Sequence, residues 1–134
     1  YRLSIMANKI SNNFSKAYRE SFDLTTMEWR VLAVLGQSDT LSADDICKLT
    51  ETDKVAVSRA VMGLIKKRRV RRTFSRQDRR RSILRLSKLG RSVYEEIVPI
   101  VLEMEARLIA PLSPREEKQL RSLLDKIKVQ ADLI

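Results

Sequence analysis

The sequence predicts a mainly α-helical protein with one small β-hairpin. Apolar residues recur every three or four positions along most of the 134-residue chain, which is the spacing of a helix face. Serine or threonine followed three residues later by aspartate or glutamate marks three helix starts, because this pair caps the free backbone N–H groups. Between positions 70 and 86, strand-favouring residues stand on both sides of a charged loop, which indicates a hairpin.

The N-terminal segment is predicted to be one helix from Tyr1 to Ser21. Leu3, Met6 and Ile10 begin an apolar face that continues in steps of three and four. Such a face is expected to be buried against another element or another chain.

The C-terminal third is predicted to form two helices. The first begins at Ser87, and Pro99 is expected to kink or interrupt it because proline removes a helical hydrogen bond. The second begins at Ser113, with Pro114 at its first helical position and Glu116 closing the capping box.

Three further helices are predicted in the centre of the chain. The first starts at Thr25 and ends at Gly36, a residue suited to a left-handed C-terminal cap. A short helix capped by Ser42 and a longer one capped by Asp53 follow, separated by a turn at residues 50–52. A short helix, a tight turn and a longer helix make a helix-turn-helix, and a hairpin directly after it is a wing.

The expected architecture is therefore a winged helix-turn-helix over about residues 25–90, within a single domain of residues 1–134. The flanking helices, over about residues 1–21 and 91–134, have wide apolar faces, which predict a homodimer interface. A monomer that buries its own termini against each other would show a similar pattern.

The positive charge is concentrated in one stretch. Of the 27 Lys and Arg residues, 13 lie between Lys66 and Arg91, where Asp78 is the single acid. This segment has a net charge of +12 and the rest of the chain −2, which together make the +10 of the whole. Positive charge concentrated in one segment predicts a surface that binds a polyanion, most readily nucleic acid.

Composition also excludes or disfavours several classes of function. The chain has no histidine, which excludes histidine-based acid–base catalysis and histidine-ligated zinc within it. Its three glycines lack phosphate-loop spacing, no apolar run matches a membrane span, and the N-terminus lacks a signal-peptide pattern. Cys47 is the one cysteine, so no internal disulfide forms. We expect a cytoplasmic, nucleoid-associated protein of a bacterium or archaeon, without a cofactor.

The order of these elements resembles the MarR (multiple antibiotic resistance regulator) family of winged helix-turn-helix transcription factors. The stretches that carry the resemblance are LTTMEWRVLAVL, LSADDICKLT, DKVAVSRAVMGLIKK and QDRRRSILRLSKLG. The most specific part is an Asp-x-Arg in the wing followed by Leu-Ser-x-x-Gly at a helix start, formed by Asp78, Arg80, Leu86, Ser87 and Gly90.

This resemblance implies a homodimeric repressor on a pseudo-palindromic DNA operator, released by a small aromatic or phenolic ligand. The helix that begins near Asp53 would be the recognition helix in the major groove, and the wing tip would enter the flanking minor groove. The chain departs from the family at Arg68 and Arg69, where Gly-Leu is usual. Arg68 is therefore expected to hold a left-handed conformation at a cost of about 1–2 kcal/mol. The first helix lacks the cysteine of the redox-sensing members, which argues against peroxide sensing by that route.

The wing tip is predicted to read the minor groove through Arg80, because the negative potential of a narrow groove attracts a guanidinium. Asp78 is expected to orient Arg80 through a bidentate hydrogen-bonded pair, and the alternative is that Asp78 only stabilises the turn.

Arg59 is predicted to pair with guanine O6 and N7, or else to bind phosphate or an acid of the same chain. Val55 or Ala56 is a candidate for contact with a thymine methyl group. Ser42 either presents its helix N-terminus to a phosphate or only caps the helix. The predicted DNA-contacting residues are Ser42, Lys54, Val55, Ser58, Arg59, Lys66, Arg76, Asp78, Arg79, Arg80 and Arg81.

A small-molecule site is predicted at Trp29 and Arg30, since an aromatic ring beside a cation suits a phenolic carboxylate. The alternative is that Trp29 is structural, as the partner of Leu24 in a hydrophobic staple at a helix start. Cys47 is interpreted as a small core residue and not as a sensor.

Two other functions are compatible with the charge. An RNA-binding or ribosome-associated module would stack bases on exposed aromatic side chains, and the basic segment contains only Phe74. A membrane-surface protein would carry its basic residues opposite apolar ones on a helix, whereas here they lie on a predicted hairpin. The leading hypothesis is a double-stranded DNA-binding regulator that is not an enzyme and has no membrane partner.

Overall fold

The computed structural model describes residues 1–78 and 80–134. Its elements are α1 (Arg2–Phe14), α2 (Arg19–Phe22), α3 (Thr26–Gly36), β1 (Leu41–Ser42), α4 (Ala43–Thr50), α5 (Lys54–Lys66), β2 (Val70–Phe74), β3 (Ser82–Leu86), α6 (Lys88–Ile109) and α7 (Pro114–Ala131). The chain divides into two compact units, Tyr1–Ile100 and Val101–Ile134, with the division inside α6. Over the described residues, no helix is both long and apolar enough to cross a membrane.

The predicted class, mainly α-helical with a small wing, is confirmed. All three capping boxes form, at Thr25, Ser42 and Ser113, where each hydroxyl accepts a hydrogen bond from the backbone N–H three residues on. Asp53 caps α5 in a similar way, accepting from the N–H of Ala56 at 2.9 Å. These contacts span only three residues of sequence, which is why local pattern predicts them.

The core of the first unit holds α5 against α3, α4 and the sheet. Leu32 of α3, Ile46 of α4, Val57 of α5 and Leu84 of β3 are fully buried, as is Ile97 of α6. Burial of one face of α5 leaves its other face free to meet a partner.

The wing belongs to a three-stranded antiparallel sheet in the order β1-β3-β2. The sequence pattern did not predict β1, in which Leu41 pairs with Leu84 and Ser42 with Ile83. Because β3 is the central strand, its adjacent residues Ile83 and Leu84 are both shielded, half-buried and fully buried respectively.

The N-terminal helix is shorter than the predicted span to Ser21. After α1, the Ser15 hydroxyl donates to the carbonyl of Asn12 at 2.7 Å, and a 3-10 turn replaces the α-helix. Tyr18 then leaves the helical conformation at φ −135° and stacks its buried ring on Trp29. A tertiary aromatic contact accompanies this break in the helical path.

One further prediction is wrong, and another is wrong in part. Gly36 is not a left-handed cap, because α3 ends with Gly36 in helical conformation and Gln37 follows at φ −90°. Glycine is needed there for close packing, since a Cβ would overlap the ring of Tyr94. Pro99 does not interrupt its helix, because α6 continues through it. The alternative, a kink at Pro99, stays a prediction.

Candidate nucleic-acid interface

The exposed face of α5 presents four of the residues predicted to contact DNA. Lys54, Val55, Ser58 and Arg59 are all exposed, and 60% of Val55 is accessible to solvent. On the opposite side, four residues of α5 are buried in the core. The Asp53 side chain caps the start of this helix by accepting the backbone N–H of Ala56.

These four side chains line one concave surface, which encloses a volume of about 430 Å³. Arg72 of β2 lies on the same surface, and its Nη1 is 3.9 Å from the sulfur of Met62 in α5. Arg72 was not among the residues predicted from the sequence to contact DNA. The alternation of side chains along β2, which puts Arg72 on the face of Val70, is the signal that could have found it.

The wing tip is closed by backbone hydrogen bonds. Ser75 donates its N–H to the carbonyl of Arg81 at 2.9 Å, and Arg81 donates to the carbonyl of Asp78 at 3.0 Å. Arg76, Arg80 and Arg81 are exposed. Arg79, which was also predicted to contact DNA, lies outside the described residues.

Asp78 does not form the bidentate pair expected with Arg80. Its Oδ1 accepts a hydrogen bond from the backbone N–H of Arg80 at 3.0 Å, and no ion pair joins the two side chains among the described residues. A short carboxylate two residues before an amide makes such a local turn readily. The contact therefore matches the alternative in which Asp78 stabilises the turn, and it leaves the Arg80 guanidinium free of Asp78.

Part of the basic segment faces inward, which sequence alone did not reveal. Lys67 places its Nζ 3.0 Å from a carboxylate oxygen of Glu28, which is 4% exposed. Arg91 donates to the carbonyl of Gly36 at 2.9 Å and lies 5.7 Å from the Tyr94 ring centroid, a cation–π distance. The solvent-exposed charge of the segment is therefore smaller than its net +12. Lys66, at the end of α5, is exposed.

Ser42 is engaged in capping α4. Its hydroxyl accepts from the N–H of Asp45 at 3.1 Å, and its own N–H donates to Asp45 Oδ2 at 3.0 Å. The hydrogen bond from the Ser42 backbone, and then that from its side chain, lowers the pKa of Asp45. The first turn also contains Asp44, 3.9 Å from the Lys54 ammonium. Two acids at this N-terminus oppose phosphate binding, so the geometry favours the capping role alone.

Trp29 and Arg30 make separate contacts. Trp29 stacks with Tyr18 at 5.6 Å and with Tyr94 at 6.3 Å between ring centroids, with interplanar angles of 24° in both pairs. Arg30 is exposed, and its Nη2 lies 3.5 Å from the hydroxyl of Ser11. Trp29 thus has a structural role in joining the 3-10 turn region, α3 and α6.

Cys47 is half-buried in α4 and carries a free thiol. It is less enclosed than the small core residue that sequence analysis predicted.

Comparison with known proteins gives a consistent assignment. Residues 22–81 match the model of the MarR family. A MarR/EmrR family transcriptional regulator from Acinetobacter sp. ADP1 is 29% identical, with a TM-score of 0.91 over 99% of this chain and 94% of its own. S. aureus MepR, solved in complex with DNA, is 27% identical, with a TM-score of 0.88 over 98% of this chain and 96% of its own.

Bordetella bronchiseptica BpsR, whose DNA binding is regulated by 6-hydroxynicotinic acid, is 25% identical. Its TM-score is 0.84 over 94% of this chain and 89% of its own. The sequence matches none of the curated proteins with which it was compared.

Proposed function

We propose that this chain, whose residues 22–81 match the model of the MarR family of transcriptional regulators, is a member of that family and a homodimeric repressor of a pseudo-palindromic DNA operator. The observation that carries this proposal is the concave surface on which exposed side chains of α5 meet a basic residue of the wing. The DNA complex of the similar protein MepR supports double-stranded DNA as the partner.

In this proposal α5 enters the major groove. Residues of its first two turns would reach base edges, which is the docking mode of a helix-turn-helix. Arg59 pairs with guanine, whose O6 and N7 accept from a guanidinium, and Val55 contacts a thymine methyl group. The exposure of both side chains supports these roles.

The wing supplies the second set of contacts. Arg80 enters the flanking minor groove, where its guanidinium, free of Asp78, replaces counterions. Arg76, Arg79, Arg81 and Lys66 neutralise phosphates. Asp78 contributes indirectly, by fixing the turn from which Arg80 projects.

The homodimer is supported by apolar helix faces that each unit exposes. On α1, Leu3, Ile5 and Met6 are between 50% and 57% exposed. On α7, four apolar residues at helical spacing are between 41% and 49% exposed, namely Leu120, Leu123, Leu124 and Ile127. Exposed apolar stripes of this width normally mark an interaction surface. A two-fold symmetric dimer would place its two recognition helices on the two half-sites of the operator.

Release by a small aromatic ligand is the remaining part of the proposal. BpsR, regulated by 6-hydroxynicotinic acid, supports it by similarity. We assign the ligand to the neighbourhood of Trp29 and Arg30. An aromatic acid there would replace one tyrosine on the Trp29 ring and compete with Ser11 for Arg30.

The experiment that tests the proposal is selection of duplexes by the wild-type protein from a random-sequence library. We expect an enriched inverted repeat, bound more tightly than an RNA hairpin of the same stem sequence at equal salt. Arg59→Ala should weaken binding by about 1–3 kcal/mol and relax the preference at one base pair. Equal or tighter binding of the hairpin, or no enriched duplex, would overturn the proposal in favour of the RNA-binding alternative.

A further inference from the structure

One face of strand β2 begins in the protein core and ends in solvent. Side chains alternate along a strand, so Val70, Arg72 and Phe74 of β2 share one face. Val70 is 3% exposed and packs in the core, whereas Phe74, four residues further on, is 61% exposed. Its cross-strand partner is Ser82, whose side chain is too short to cover a phenyl ring.

The same face is turned toward the recognition helix. Arg72 contacts Met62 of α5 through its guanidinium and lines the concave surface with Lys54 and Arg59. Phe74 therefore continues the surface that begins on α5 and leads toward the wing tip. An exposed aromatic ring lies here among arginines, in a segment of high positive charge.

We propose that Arg72 and Phe74 together bind the DNA backbone between the two grooves, Arg72 on a phosphate and Phe74 against the adjoining deoxyribose. The proposal rests on the proposed function. A DNA strand alternates anionic phosphates with apolar sugar faces, so it complements a cation and a phenyl ring two residues apart on one strand face. Contacts of this kind set the position of the protein on the duplex without reading sequence.

The test uses the full-length chain and a duplex enriched by the wild-type protein. Binding of Phe74→Ala, Phe74→Leu and Arg72→Ala is measured by fluorescence anisotropy over a series of KCl concentrations. Phe74→Ala should weaken binding by roughly fivefold to tenfold with an unchanged salt slope, because an apolar contact is lost. Phe74→Leu should keep most of the affinity. Arg72→Ala should weaken binding by about tenfold and reduce the salt slope by about one.

Leu49→Ala is the matched control, since Leu49 is 59% exposed but lies outside the proposed surface. It should bind as the wild type does. Thermal melting and gel filtration of each variant separate a loss of contact from a loss of folding or assembly. Wild-type affinity in well-folded Phe74→Ala would overturn this inference, as would a loss confined to an RNA hairpin. Failure of the wild-type protein to enrich any duplex would instead overturn the proposed function.

Discussion

The ammonium group of Lys67 lies 3.0 Å and 3.1 Å from the two carboxylate oxygens of the buried Glu28. Glu28 also accepts the backbone N–H of Thr25 at the start of α3, and Lys67 follows the last residue of α5. Gly63 provides the space, because a Cβ there would lie 2.8 Å from Glu28 Oε2. One ion pair thus joins the beginning of α3 to the end of α5.

Replacing Lys67 with Met should lower the free energy of unfolding by about 1–3 kcal/mol, because a buried carboxylate loses its charged partner. Lys67 is 28% exposed, so the loss should fall short of that of a fully buried pair. Urea denaturation measures the change. Lys66→Met, at the exposed neighbouring position, should have little effect, and adding Glu28→Gln to Lys67→Met should restore part of the stability. Equal losses in the two lysine variants would contradict this role.

The role of Asp78 can be separated from that of an ion pair by two substitutions. Asparagine keeps an oxygen that accepts the N–H of Arg80, whereas alanine removes it. We expect Asp78→Asn to bind the selected duplex at least as tightly as wild type, since a negative charge is lost near phosphate. Asp78→Ala should bind roughly threefold to tenfold more weakly because the turn loosens. If both variants weaken binding equally, Asp78 acts through its charge on Arg80.

Arg68 has φ 61°, which confirms the left-handed backbone expected at this position. Its carbonyl accepts the hydroxyl of Ser87 at 2.6 Å, so the turn is tied to the start of α6. Arg68→Gly should raise the free energy of unfolding by up to about 1 kcal/mol. The substitution relieves backbone strain in the folded state, but part of this gain is offset because glycine has more conformational freedom in the unfolded chain. Arg68→Ala keeps the Cβ and should give no gain. Equal stability of the two variants in chemical denaturation would show that strain is absent.

Gly90 lies in the first turn of α6 against the chain that follows α5. A Cβ at this position would overlap the carbonyl oxygen of Arg69, which also accepts the N–H of Ser87 at 3.0 Å. Gly90→Ala should destabilise the protein by about 1–3 kcal/mol, because backbone cannot move aside as a side chain can. Ser92→Ala, exposed on the same helix, is the control for helix propensity. A Gly90→Ala variant as stable as Ser92→Ala in thermal melting would refute the packing argument.

Acid should weaken the capping boxes of α4 and α7. Hydrogen bonds from Ser42 lower the pKa of Asp45, and those from Ser113 lower the pKa of Glu116. Since each pKa is lower in the folded state, the stabilisation is complete above the unfolded value near pH 4 and is lost as pH falls through the folded value. The melting temperature should therefore fall below about pH 4, and less steeply in Asp45→Asn and Glu116→Gln. An unchanged slope in both variants would exclude these carboxyls as the cause.

Much of the architecture follows from local sequence. Thr25, Ser42, Asp53 and Ser113 each cap a helix through a contact within three residues, and such contacts do not depend on the rest of the fold. The buried stripe of α5 and the charged hairpin after it follow from periodicity in the same way. These signals are sufficient for the winged helix-turn-helix and for its exposed basic face.

What only the tertiary structure decided depends on contacts between distant parts of the chain. Lys67 contacts Glu28, 39 residues away in sequence, and Arg91 contacts the carbonyl of Gly36, 55 residues away. Neither cation therefore adds to the exposed positive charge that the composition alone suggests. Likewise β1 exists because Leu41 pairs with Leu84, and Gly36 is explained by Tyr94. Net charge and periodicity therefore determined that this protein presents exposed basic residues on α5 and on the wing. The packing of distant residues determined which basic side chains face solvent, because the direction of a side chain depends on neighbours that lie far away in sequence.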